Sequence, residues 1–315
     1  MLISVLITNF SRVLRLTSAD MRPFPSIHGT ASAIEHAQEM LTVATFSSYP
    51  SKSTTRGANL TFWAVFRRSY AAAWSFIVAL PLIAAVTIGI EGLQHVVEFL
   101  EGMYRNRAEM VGHANDVGRM AAGVLKIGWI LLLQYWVARF VVSGSARATL
   151  AHDPVAIRKF AVVVAVSGAM TLAGIFVPIL LLAAHISGLV AALILLFLLV
   201  LLFIPQIILI PWSVSAALGD PRASFDFASR RSEGSRLWTV VVYVLTTLPL
   251  LGLHYVLGYA AVGQTTGPAI GILVLDAGIV GIMGVVIAAN AVMIAERMAF
   301  LDSDTLACGP FATNP

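Results

Sequence analysis

Leu189–Ile210 reads LVAALILLFLLVLLFIPQIILI, with no charge and with Gln206 as its single polar side chain. Coiled at ~1.5 Å per residue it is about 33 Å long, enough to cross a hydrocarbon core of roughly 30 Å. In water such a surface needs a much larger protein around it. In lipid it needs nothing, because a helix satisfies its own backbone. The rest of the chain repeats the pattern. Of 315 residues, 58% are hydrophobic and 11% charged, where soluble domains carry about 25% charged. The mean hydropathy of +0.87 agrees.

The formal charge of +4 raises nucleic acid as a partner. It is rejected, because the basic residues sit in short clusters beside apolar runs, which is how topology is written in membrane proteins. The one cysteine, Cys308, excludes a disulfide framework and a Cys-based zinc site.

The pattern predicts an all-α polytopic membrane bundle with six transmembrane helices over residues 59–300. The spans fall at about 70–90, 121–142, 161–183, 189–211, 237–259 and 269–295. Residues 1–58, rich in Ser, Thr, Ala and Pro, read as a loosely structured or disordered tail, and 301–315 as a short second tail. An alternative reading starts the translated protein nearer Asn59. Pro205 and Pro211 kink or end the fourth span, since each removes a backbone donor. Residues 184–188 leave room only for a tight helical hairpin.

Arg67 and Arg68, then Arg147, Arg158 and Lys159, then Arg222, Arg230, Arg231 and Arg236, then Arg297 all fall on one face if six spans exist. The positive-inside rule then places both termini in the cytoplasm. Trp74, Trp212 and Trp238 fall at the inner interface, and Tyr255 and Tyr259 at the outer. The outer connection 91–120 carries Leu93, Val96, Val97, Leu100, Met103 and Tyr104 at helical spacing, with Glu91, His95, Glu98 and Arg105 on the opposite stripe. It reads as an amphipathic helix on the outer membrane surface or over the bundle mouth. Glu91, His95 and Glu98, with His113, Asp116 or His185 nearby, also fit a divalent-metal site. The solvated stripe is the preferred reading, so no metal or other cofactor is assigned.

Both inner connections contain Asp-Pro, at Asp153-Pro154 and Asp220-Pro221. A carboxylate cap followed by proline at the first helical position starts a helix. The helix after Asp220 brings Arg222, Phe225, Arg230 and Arg231 to lipid headgroups. Phe66-Arg67-Arg68-Ser69 with Trp74 echoes Ser229-Arg230-Arg231-Ser232 with Trp238. A nested repeat suits a transporter, and a shared way of entering a span from the cytoplasm explains the echo as well. The run from Ala216 through Gly219-Asp220-Pro221 to Gly234-Ser235-Arg236-Leu237-Trp238 resembles a broad group of bacterial polytopic proteins. That group includes the membrane domain attached to some glycerophosphodiester phosphodiesterases. The likeness covers about residues 60–300 in layout and 216–238 in residues, and no soluble phosphodiesterase domain accompanies it. The resemblance implies a bacterial inner (plasma) membrane protein and no activity.

Asp276 lies inside the sixth span, where an ionised carboxylate costs about 2.5–3.5 kcal/mol to insert and calls for a partner. Lys126 and His254 lie at similar depth, so Lys126, His254 and Asp276 are read as an intramembrane polar cluster. A structural ion pair and a proton or solute path are the competing roles. Gly267, Gly271, Gly278, Gly281 and Gly284 read as a helix-packing face, and Gln134 and Asn290 as inter-helix hydrogen bonders. His-Glu-x-x-His, Walker and Gly-x-Ser-x-Gly motifs are missing, which disfavours an enzyme. The residues therefore support first a protein that binds membrane lipid, protein partners or its own copies. The alternative is a small-solute or ion transporter built around Asp276.

Overall fold

The computed structural model describes residues 61–183 and 188–301. The tail 1–58, the 184–187 link and Cys308 lie outside them. Every regular element among the described residues is helical. Helix α1 (Phe62–Ala79) starts at Thr61, whose hydroxyl accepts from the Ala64 N–H. It breaks at Leu80, and Pro81 opens α2 (Pro81–Leu100), because proline supplies no N–H to continue the ladder. After α3 (Arg107–Gly112) and a 3-10 turn at His113–Asn115 comes α4 (Val117–Ser143). Gly144 ends α4 at φ 65°, a left-handed cap suited to glycine. Short α5 (Ala146–Leu150) leads to α6 (Pro154–Ala183), then α7 (Gly188–Ala217), α8 (Phe225–Ser232), α9 (Arg236–Ala261) and α10 (Thr266–Leu301).

Among the described residues, five helices are long and apolar enough to cross a membrane: Pro81–Leu100, Val117–Ser143, Pro154–Gly174, Arg236–Ala261 and Thr266–Met298. The deciding stretch forms most of α7, which runs through both prolines without ending; its Pro205–Ala217 part is a shorter apolar helix. The first span needs correction. Residues 70–90 straddle the break at Leu80, and the apolar helix of spanning length is Pro81–Leu100. Residues 91–100 of the stretch read as a helix on the outer surface are the second half of that helix, and Met103 and Tyr104 lie in the turn beyond it. Its faces are also inverted. Leu93, Val96 and Leu100 are 48%, 54% and 77% exposed, while Glu91, His95 and Glu98 are 1%, 5% and 3% exposed. A helix in lipid turns its apolar stripe outward and its polar stripe to its neighbours, the reverse of a helix in water.

Helix α10 packs against α9, α1, α2, α4 and α7 and is the centre of the bundle. Val285, Val286, Ala289, Val292, Met293 and Ile294 are buried along it, while Ile270, Val274 and Leu275 face outward. At Gly281 a β-carbon would stand 2.5 Å from Ile88 of α2, so this glycine sets the close approach of the two helices. At Gly267, Gly271 and Gly278 a β-carbon would meet nothing. At the other end Arg68 of α1 pairs with Glu296 of α10 at 2.9 Å.

The two Asp-Pro pairs part ways. Asp153 accepts from the N–H groups of Val155 and Ala156 and starts α6. Asp220 forms a turn, accepting from the Arg222 N–H at 2.9 Å, and the α8 cap is Ser224. The second pair is thus corrected from a helix start to a turn.

Candidate functional site

Four helices, α2, α4, α9 and α10, project ionisable groups into one place. Helix α2 brings Glu91, Gln94, His95 and Glu98 on successive turns of one stripe. Helix α10 brings Asp276, fully buried, and α9 brings His254. The Asp276 carboxylate lies between two imidazoles. His254 Nδ1 is 2.9 Å from each of its oxygens, and His95 Nε2 is 3.0 Å from Oδ2. The His95 contact is close without being aligned as a hydrogen bond. The same Nε2 is 3.7 Å from Glu91 Oε1.

The opposite ring nitrogen of His95, Nδ1, meets Glu98 Oε2 at 3.2 Å and the Tyr104 hydroxyl at 3.1 Å. Tyr104 donates to Glu98 Oε2 at 2.5 Å, and Gln94 and Arg119 donate to Glu98 Oε1 at 2.8 and 3.0 Å. Burial, reinforced by the Glu98 charge, pushes the Tyr104 phenol far above its ordinary range, so it remains a donor. Lys126 of α4 places Nζ 3.0 and 3.2 Å from the two oxygens of Glu91. One turn further along α4, Trp129 donates to Thr87 of α2 at 2.8 Å and holds the two helices in register.

Asp276 and His254, two of the three residues read as a cluster, are in contact. Lys126 enters the same network through Glu91, not through Asp276. Glu91, His95 and Glu98 were read as a solvated stripe and are instead its core. Tyr104, placed by its spacing on the opposite, apolar stripe, instead turns its hydroxyl into the network, and Gln94 and Arg119 join it without a mark in the sequence pattern. Glu91, His95 and Asp276 each offer a donor atom within 4.8 Å of the others. The set holds three carboxylates (Glu91, Glu98, Asp276) against two permanent cations (Arg119, Lys126).

On the inner side, the four residues read as headgroup contacts separate. Arg230 is exposed and pairs with Asp226. Phe225 is 47% exposed and edge-on to Trp212. Arg222 lies against Asp220 and over the Phe227 ring. Arg231 is buried and stacks on Phe227, so it does not meet headgroups in this structure. Arg139 was overlooked altogether. It is 1% exposed, donates to the carbonyls of Ala148, Thr149, Ala151 and Ala217, and lies near Asp153. It ties the α4–α6 connection to the end of α7. A separate cavity of about 310 Å³ includes Gln134, Ser167, Thr171, Gln206, Ser213 and Tyr243 in its wall.

No family model matches the chain, and no curated protein or solved structure does.

Proposed function

We propose that this multi-pass membrane protein is a small-solute or ion transporter whose cation site is the cluster of Glu91, His95, Lys126, His254 and Asp276. The observation that carries this reading is the convergence of three carboxylates and two imidazoles, with Lys126 and Arg119, on one buried place between four helices. Burying so many ionisable groups costs more than helix packing alone requires, and a site that takes up and releases a cation gives them a use. A separate cavity with mixed polar and apolar walls, Leu131, Ile207 and Ile287 beside Gln134, Thr171 and Gln206, adds support. It lies nearer the arginine-rich ends of the helices, about 12 Å from the cluster along α4, counting eight residues from Lys126 to Gln134. Six spans, both termini in the cytoplasm and residence in a bacterial inner membrane complete the proposal.

Proteoliposomes test it. With an imposed pH or cation gradient, the protein dissipates the gradient and Asp276→Asn does not, while Glu109→Gln on exposed α3 behaves as the parent. Flux equal to that of protein-free vesicles refutes the reading. Binding of lipid or partners remains the second reading, favoured by exposed Phe225 and exposed Arg230 on α8. It predicts co-purifying anionic lipid that is lost in Phe225→Ser with Arg230→Ser.

A further inference from the structure

We infer that the cation held by this cluster is a divalent first-row transition ion, bound by Glu91, His95 and Asp276. The inference rests on the transport reading only for its use, not for its geometry. Donor atoms at about 2.0–2.1 Å from a tetrahedral ion stand roughly 3.3 Å apart. The His95 Nε2 contacts to Asp276 Oδ2 and Glu91 Oε1, at 3.0 and 3.7 Å, bracket that edge. His95 Nε2 is buried and makes no aligned hydrogen bond, so the imidazole ligand has its donor atom uncommitted, while Lys126 sits on Glu91.

The surroundings follow the pattern of metal sites. A ligating histidine directs its other ring nitrogen at a carboxylate, which fixes the tautomer and the ring plane. Here Nδ1 meets Glu98, which Gln94, Tyr104 and Arg119 hold in place. The ligand Asp276 is in turn oriented by His254. Two carboxylates carry the charge that a dication neutralises, and one imidazole with two oxygens suits zinc, iron or manganese. Three protein ligands leave a fourth position for water or a transported ligand. Lys126 then has a defined part. Its ammonium sits on Glu91 as a stand-in cation and is displaced when the dication enters.

The test uses the full chain in nanodiscs, in a Cys308→Ser background, stripped with chelator and titrated with Zn²⁺ and Co²⁺. One equivalent of metal per chain is expected, with the intense visible bands of tetrahedral Co²⁺. His95→Ala and Asp276→Asn should each weaken binding at least tenfold, and Glu98→Gln by about ten- to a hundredfold. Lys126→Met should bind more tightly than the parent, an effect that misfolding cannot imitate. His113→Ala removes the exposed cluster with Glu109 and Asp116 and should change nothing. Failure to bind stoichiometric metal, binding that survives His95→Ala, or a Lys126→Met variant that gains no affinity overturns the inference. Gradient dissipation without metal binding would leave the transport reading standing and this one refuted. Metal binding without flux would do the reverse.

Discussion

Lys126 and Glu91 give the clearest quantitative prediction. Two unit charges 3 Å apart attract by about 5.5 kcal/mol at an effective dielectric of 20, before desolvation is subtracted. Lys126→Met strands the Glu91 carboxylate, 1% exposed, without its cation, and breaking such a pair costs about 3–5 kcal/mol. The Lys126 side chain is itself 22% exposed, so the lower end, about 3 kcal/mol, is expected. Glu91→Gln should cost less, about 1–2 kcal/mol, because a freed lysine can extend toward the headgroups. The double variant should cost about 1–2 kcal/mol, giving a coupling energy of roughly 3 kcal/mol. Lys126→Met with Asp276→Asn should couple by less than about 1 kcal/mol, since these side chains meet only through Glu91 and His95. Unfolding in mixed micelles, followed by tryptophan fluorescence, measures both cycles. A Lys126–Glu91 coupling under about 0.5 kcal/mol, or a larger one between Lys126 and Asp276, would refute the network.

Arg139→Ala should destabilise the protein by about 3 kcal/mol or more, since several carbonyls lose a buried charged donor at once. Arg139→Lys should recover little of that, because a point charge cannot span them; thermal unfolding and proteolysis between Ser143 and Asp153 read both. His113 is held above the ordinary histidine range, chiefly by its hydrogen bond to Asp116 and then by Glu109. A raised folded value means that the His113 clasp favours folding at pH below the unfolded value. That contribution disappears as pH rises through the folded value. Imidazole titration by NMR should place the His113 midpoint above that of an unstructured histidine, and Asp116→Asn should lower it.

The residues that the sequence revealed and those it hid differ for physical reasons. Asp276 and Lys126 stand out because each interrupts an apolar run, and insertion cost makes such interruptions conspicuous. Residue counting along a span yields depth but not azimuth, so it could not tell that Lys126 reaches Glu91 before Asp276. The Glu91–His95–Glu98 stripe was visible as a stripe. Its periodicity says that α2 has two faces and not which one is buried, and that choice belongs to the solvent. The break at Leu80 was missed because the apolar run continues through it, although Pro81, a favourable first helical residue, marks it. Arg139 was hidden because an arginine near the end of a span reads as a topology signal, and its carbonyl partners come from turns that no periodicity predicts. Asp153-Pro154 and Asp220-Pro221 share a dipeptide, yet Ser224 sits three residues ahead of the Phe227 N–H and takes the cap.

The buried site requires that α2 cross the membrane with its carboxylates turned inward, and depth along that helix is the direct measurement. Spin labels at Leu82, Leu93 and Leu100 sit on its outward face, spread over about 27 Å of helix axis. In bilayers, accessibility to oxygen relative to a water-soluble nickel complex should peak at Leu93 and fall toward both Leu82 and Leu100. A constant ratio from Leu93 to Leu100 would mean a helix lying along the surface, and would contradict the buried site.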